Sequence, residues 1–103
     1  MAKSFLLIFT LLLLQLNAGA QYPNILIGTQ RTPNEPSICI DPRNPGRMVV
    51  GVNIDTYYTS DDEGLTWNEA RLFSNAYGVW GDPCIVVDTL GYFYFFHLSN
   101  PPG

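Results

Sequence analysis

Past residue 20 the chain falls into short apolar runs separated by polar turns rich in glycine and proline. Ser37 to Asp41, Arg47 to Asn53, Thr56 to Thr59 and Trp67 to Phe73 each have the length and the β-branched or aromatic content of a strand. Pro42-Arg43-Asn44-Pro45-Gly46 separates the first two as a turn, and Asn53-Ile54-Asp55 makes a corner before the third. Upstream, Tyr22 to Gly28 offers one short apolar strand, followed by a polar link through Thr29 to Pro36. No stretch repeats its apolar residues at helical spacing, so this part of the chain reads as all-β.

After the loop Ser74 to Gly81 the pattern begins again. Glu35-Pro36-Ser37-Ile38-Cys39-Ile40-Asp41 finds its counterpart in Asp82-Pro83-Cys84-Ile85-Val86-Val87-Asp88, and Gly46-Arg47-Met48-Val49-Val50 in Gly91-Tyr92-Phe93-Tyr94-Phe95. The offset is 47 residues at the prolines and 45 at the glycines. Repeats of about 40 to 50 residues, each with four short strands, indicate propeller blades. The expected fold is therefore a partial β-propeller of about one and a half four-stranded antiparallel blades. Residues 21–33 form a lead-in with one short strand, 34–80 the first blade, and 81–103 the first half of the second. A propeller closes with about four or more blades, so the chain reads as the amino-terminal piece of a longer product that needs the remaining blades.

The densest pattern lies between the third and fourth strands, where Ser60-Asp61-Asp62-Glu63-Gly64-Leu65-Thr66-Trp67 spells S-x-D-x-G-x-T-W. Flanked by strand-like runs, this is the turn of a β-hairpin. The Asp62 carboxylate can accept hydrogen bonds from turn N–H groups, and Gly64 can take a positive φ. Ser60 and Thr66 cap the ends, and Trp67 can fold its ring beneath the turn with its indole N–H seeking a partner. The octapeptide resembles the Asp-box, the repeated hairpin of sialidases and other Asp-box propellers. Asp82-Pro83-Cys84-Ile85-Val86-Val87-Asp88 with Gly91 to Phe96 resembles a blade-opening pattern of the same family.

This resemblance implies an architecture first and a chemistry second, because the box lies away from the catalytic centre in such propellers. A sialidase works with arginines on the substrate carboxylate, a Tyr nucleophile backed by Glu, and an Asp acid/base. The first arginine belongs in an R-I-P motif, and in phase with Pro36 this chain has Asn34-Glu35-Pro36. Arg31-Thr32-Pro33 supplies an R-x-P upstream, which leaves Arg31 as a surface arginine or a carboxylate clamp. Asp55 occupies the corner where the family carries its acid/base, and is either that group or a turn aspartate bonded near Thr56 or Tyr57. Tyr77 and Trp80 can stack on a sugar ring or pack the blade rim. His97 has no nucleophile motif beside it and reads as a half-buried edge histidine.

Compartment and charge narrow the function. Phe5 to Leu16 is an apolar run with Lys3 before it and Asn17-Ala18-Gly19-Ala20 after it, the pattern of a secretory signal peptide over residues 1–20 with a mature start at Gln21. The run is too short to span a bilayer, which takes about 20 apolar residues, so no membrane span is expected after its removal. Five basic residues stand against nine acidic ones, and no basic footprint suits a nucleic acid. Cys39 and Cys84 read as buried free thiols, with a bridge between them as the alternative. Without a CxxC pair and with one histidine, no metal site and no cofactor are expected. Two functions stand open: a secreted sialidase-like glycoside hydrolase, inactive as this chain alone, and a non-catalytic exported propeller that binds glycan or protein.

Overall fold

In the computed structural model residues 22–100 are described, and the leader expected over residues 1–20, the mature start expected at Gln21 and the turn expected beyond Asn100 lie outside them. The described residues form six strands and no helix. Strands β1 (Ser37–Ile40), β2 (Met48–Val52), β3 (Thr56–Ser60) and β4 (Asn68–Arg71) make one antiparallel sheet in that order. Strands β5 (Cys84–Val87) and β6 (Phe93–Phe96) pair antiparallel as a second, two-stranded sheet. The chain is thus all-β, and the six strands do not close into a barrel.

The sequence repeat is a structural one down to the register. Ser37 faces Gly51 and Ile40 faces Met48 across the first pair, while Cys84 faces Phe96 and Val87 faces Phe93 across the second. Each β5 residue lies 47 positions after its β1 equivalent, and each β6 residue 45 after its β2 equivalent. The two missing residues come out of the turn. An aspartate at the end of each leading strand holds that turn: Asp41 accepts from the Arg43 N–H at 2.8 Å, and Asp88 from the Leu90 N–H at 2.8 Å. The strand N–H of Asp41 then reaches the carbonyl of Arg47, whereas that of Asp88 reaches the carbonyl of Tyr92, two residues sooner.

Alternation along β1 and β5 decides how the sheets meet. Ser37 and Cys39 face the second sheet, where the Ser37 hydroxyl accepts from the Ile85 N–H at 2.9 Å and the Cys39 thiol donates to the Ile85 carbonyl at 3.0 Å. Ile85 is left 4% exposed. Gly51 permits the close approach, since a Cβ there would lie 2.6 Å from the Phe95 ring and 2.9 Å from Ile85 Cδ1. Backbone capture from both sides plus apolar packing makes this the main contact between the repeats.

On its other face the first sheet buries Val50, Val52 and Tyr58, with Ile27 and Trp67 packed against them. Residues 22–28, expected as a short strand, belong to neither sheet; Ile27 packs on the cluster of Val50, Val52 and Tyr58, while Tyr22, Ile25 and Leu26 are exposed. The fourth strand also ends at Arg71 rather than Phe73; past the Thr56–Arg71 pair, a bond from the Leu72 N–H to the Asp55 carbonyl at 2.7 Å closes the ladder at the corner. Tyr58 brings a buried hydroxyl with no hydrogen-bond partner among the described residues; burial first, and the nearby Glu69 carboxylate after it, push its pKa up. Tyr58→Phe is accordingly expected to leave stability unchanged or raise it by up to about 1 kcal/mol, since removing an unsatisfied buried hydroxyl relieves a desolvation cost. A clear loss in a thermal melt would show that the hydroxyl has a partner.

Both cysteines are free. Cys39 is half-buried against Ile85, but Cys84, expected to be buried, is exposed, because the strand alternation that turns Ile85 inward turns its neighbour to the opposite side.

Candidate functional site

The two ends of the stacked sheets carry different chemistry. At one end lies the β3–β4 hairpin. Its Ser60 hydroxyl accepts from the Gly64 N–H at 2.9 Å and donates to Asp62 Oδ1 at 2.8 Å. Asp62 also accepts from the Thr66 N–H at 2.8 Å and the Thr66 hydroxyl at 2.6 Å. These donors, Thr66 foremost, hold the Asp62 carboxyl down to about 2. Gly64 has φ +82°, a conformation that a side chain resists, and its carbonyl accepts the Trp67 indole N–H at 2.9 Å. The polar groups of this loop are consumed in holding the loop. Asp61 and Glu63, the remaining acids of the loop, point to solvent.

The opposite end gathers the connections that precede β1, join β2 to β3, and lead into β5. Here the Asp55 carboxylate is bidentate to the Arg71 guanidinium, through Arg71 Nε at 3.2 Å and a second contact to Nη2. Arg31 Nη1 approaches the same carboxylate at 3.4 Å, and the Thr56 hydroxyl at 3.5 Å. The hydrogen bond from Arg71 is the main reason that Asp55 is held below the usual carboxylate range. Asp55 is therefore ionised near neutral pH and tied to β4, rather than forming a backbone Asx-turn. A group in this state accepts protons poorly and has none to give.

Asn53 is the joint between the repeats at this end. Its amide donates to Glu35 at 2.6 Å, and its carbonyl oxygen accepts from the Asp82 N–H at 2.8 Å. That bond brings the loop carrying Tyr77 and Trp80 alongside, and the loop is pinned in turn by Trp80 N–H to the Leu98 carbonyl at 2.9 Å and Asn100 N–H to the Tyr77 carbonyl at 3.0 Å. Both rings are exposed. Arg31, Thr32, Asn34, Asn53 and Ile54 line an open cavity of about 360 Å³, which Arg31 joins to the Asp55 ion pair. Of the residues singled out from the sequence, Arg31 and Asp55 are thus in direct contact, and Tyr77 and Trp80 lie on the neighbouring loop.

Two residues at this end escaped the sequence reading. Arg71 stands opposite Thr56 in the hairpin register, so counting outward from the S-x-D-x-G-x-T-W turn places it next to Asp55. Asn53 carries no comparable signal, because its partner Asp82 comes from the second repeat. Among the described residues no group of three His, Cys, Asp or Glu could hold a metal ion, and no helix is long and apolar enough to cross a membrane. Compared with protein-family models, curated proteins and solved structures, the chain matches none.

Proposed function

We propose that this is an exported, sialidase-like Asp-box propeller protein that binds an acidic glycan at the end carrying Arg31, Tyr77 and Trp80. In this reading the four-stranded sheet is one blade, the two-stranded sheet is half of the next, and the ring closes with further blades. The repeated register and the stacking of β5 on β1 support the architecture.

The observation that carries binding over cleavage is the state of Asp55. Its carboxylate is neutralised by Arg71, so Arg31, half exposed and at a longer 3.4 Å, keeps donors for a ligand carboxylate in the adjoining cavity. Exposed aromatic rings nearby supply faces for a sugar. The hydrolase reading keeps the family pattern of residues 82–96 in its favour, but it needs an acid that Asp55 does not provide.

Calorimetric titration of the protein with a sialylated oligosaccharide tests this. Binding is expected, and Arg31→Ala should weaken it by about tenfold or more, the worth of one charged hydrogen bond. A fluorogenic sialoside should remain intact. Equal affinity for the asialo sugar would remove the acidic-glycan reading, and turnover abolished by Asp55→Asn would replace it with the hydrolase.

A further inference from the structure

The Asp55 carboxylate is shared unequally between two arginines. Arg71 takes both of its oxygens, through Nε at 3.2 Å and a second contact from Nη2, while Arg31 approaches Oδ1 alone, at 3.4 Å. The two are also carried differently. Arg71 stands on β4, opposite Thr56 in the ladder, whereas Arg31 lies on the link before β1, outside both sheets. Asp55 is the sheltered member of the three, its side chain 18% exposed against 51% for Arg31 and 55% for Arg71. Among the described residues it is the only acidic group within ion-pair distance of Arg31. The arginine that lines the cavity therefore has a carboxylate beside it before any ligand arrives.

We infer that Asp55 is a built-in competitor for Arg31, occupying the guanidinium when no ligand is present, so that a ligand carboxylate must displace it. Arg71 is then a positioning residue that sets the strength of this competition. By satisfying both Asp55 oxygens it leaves Arg31 a long, one-point contact, which a ligand carboxylate making the two-point bond can replace. Without Arg71, the charge of Asp55 falls on Arg31 alone and holds the site shut. The same hydrogen bond from Arg71 keeps the Asp55 carboxyl below its usual range, so the competitor is charged at neutral pH. This rests on the reading of Arg31 as the group that meets an acidic glycan, and adds to it a self-occupied state of the site and the residue that weakens that state.

The test is calorimetric titration of the full chain with the sialylated oligosaccharide in about 0.15 M salt, where exposed charges more than about 8 Å apart are largely screened. Asp55→Asn keeps the shape of the side chain and removes its charge, so affinity is expected to rise by about two- to fivefold, the worth of one exposed ion pair. Arg71→Ala should weaken binding by at least as much. Arg71→Lys, which keeps the charge but loses the two-point bond, should fall between Arg71→Ala and wild type. The gain from Asp55→Asn should vanish in the Arg31→Ala background, where nothing is left to compete for; a loosened loop or a general change of field would persist there. Circular dichroism checks each fold, and Asp55→Ala replaces Asp55→Asn if the latter is unfolded. Binding that Arg31→Ala weakens but that Asp55→Asn and Arg71→Ala leave at the wild-type level would overturn the inference and leave the glycan reading standing. A gain from Asp55→Asn that survives the loss of Arg31 would overturn it as well. A wild type that does not bind removes the glycan reading, and the inference with it.

Discussion

Ile85→Ala is expected to destabilise the fold by about 2–4 kcal/mol, the range for emptying a well-packed aliphatic site. Ile85 is the point where the second sheet is held: its side chain is buried against the first, and its N–H and carbonyl are taken by Ser37 and Cys39. Truncation removes the aliphatic contact with Gly51 and widens the cleft that Ile85 lines between the two sheets. The control is next door. Val86, 40% exposed on the opposite side of the same strand, should cost under about 1 kcal/mol as Val86→Ala. Chemical denaturation measures both. Equal losses would mean that the sheets do not stack through Ile85.

Acid should unfasten the hairpin. The folded Asp62 carboxyl, at about 2, lies below its unfolded value of about 3.9, so its stabilisation is complete above that unfolded value and is lost as pH falls towards 2. Asp88 is lowered in the same direction, chiefly by the Tyr92 N–H, and Asp55 by Arg71, so the three act together in one acid limb. The melting temperature is expected to be level from neutral pH to about 5 and to drop by several degrees between about 4 and 2. Asp62→Ala should lower it at neutral pH and flatten the acid limb, because the Thr66 N–H and the two hydroxyls lose their acceptor. Asp61→Ala should change little, since Asp61 is exposed and its ion pair with Arg47 is loose, at 3.5 Å. Indistinguishable acid limbs in wild type and Asp62→Ala would sink the assignment.

What could be read from the residues was local or repeated. The hairpin was legible because its contacts span no more than four residues, so spacing alone places Asp62 beside Thr66 and Ser60 beside Gly64. The two-residue shortening of the second turn was legible too, as the change of offset from 47 to 45. The exposure of Cys84 was less so: an apolar run such as Cys84-Ile85-Val86-Val87 does not reveal which alternate positions face a neighbour until the stacking is known. Residues 22–28 have strand composition, yet Ile27 contributes by covering Tyr58 rather than by pairing, a choice that depends on a face made elsewhere. The same reason hid the role of Asn53, whose bonds reach 18 residues back to Glu35 and 29 forward to Asp82.

The placement of the two tryptophans gives the molecule two optical probes that do not overlap. Trp67 is half-buried with its indole N–H bonded to a carbonyl, at the hairpin end; Trp80 is 57% exposed, at the end proposed to meet sugar. Emission from the first is shielded from a dissolved quencher such as iodide, and emission from the second is open to it. Acid opening of the hairpin therefore registers as new access to the shielded fraction, while a ligand resting on the Trp80 ring registers as lost access to the other. One fluorescence experiment on the unlabelled chain can separate an event at one end of the sheets from an event at the other.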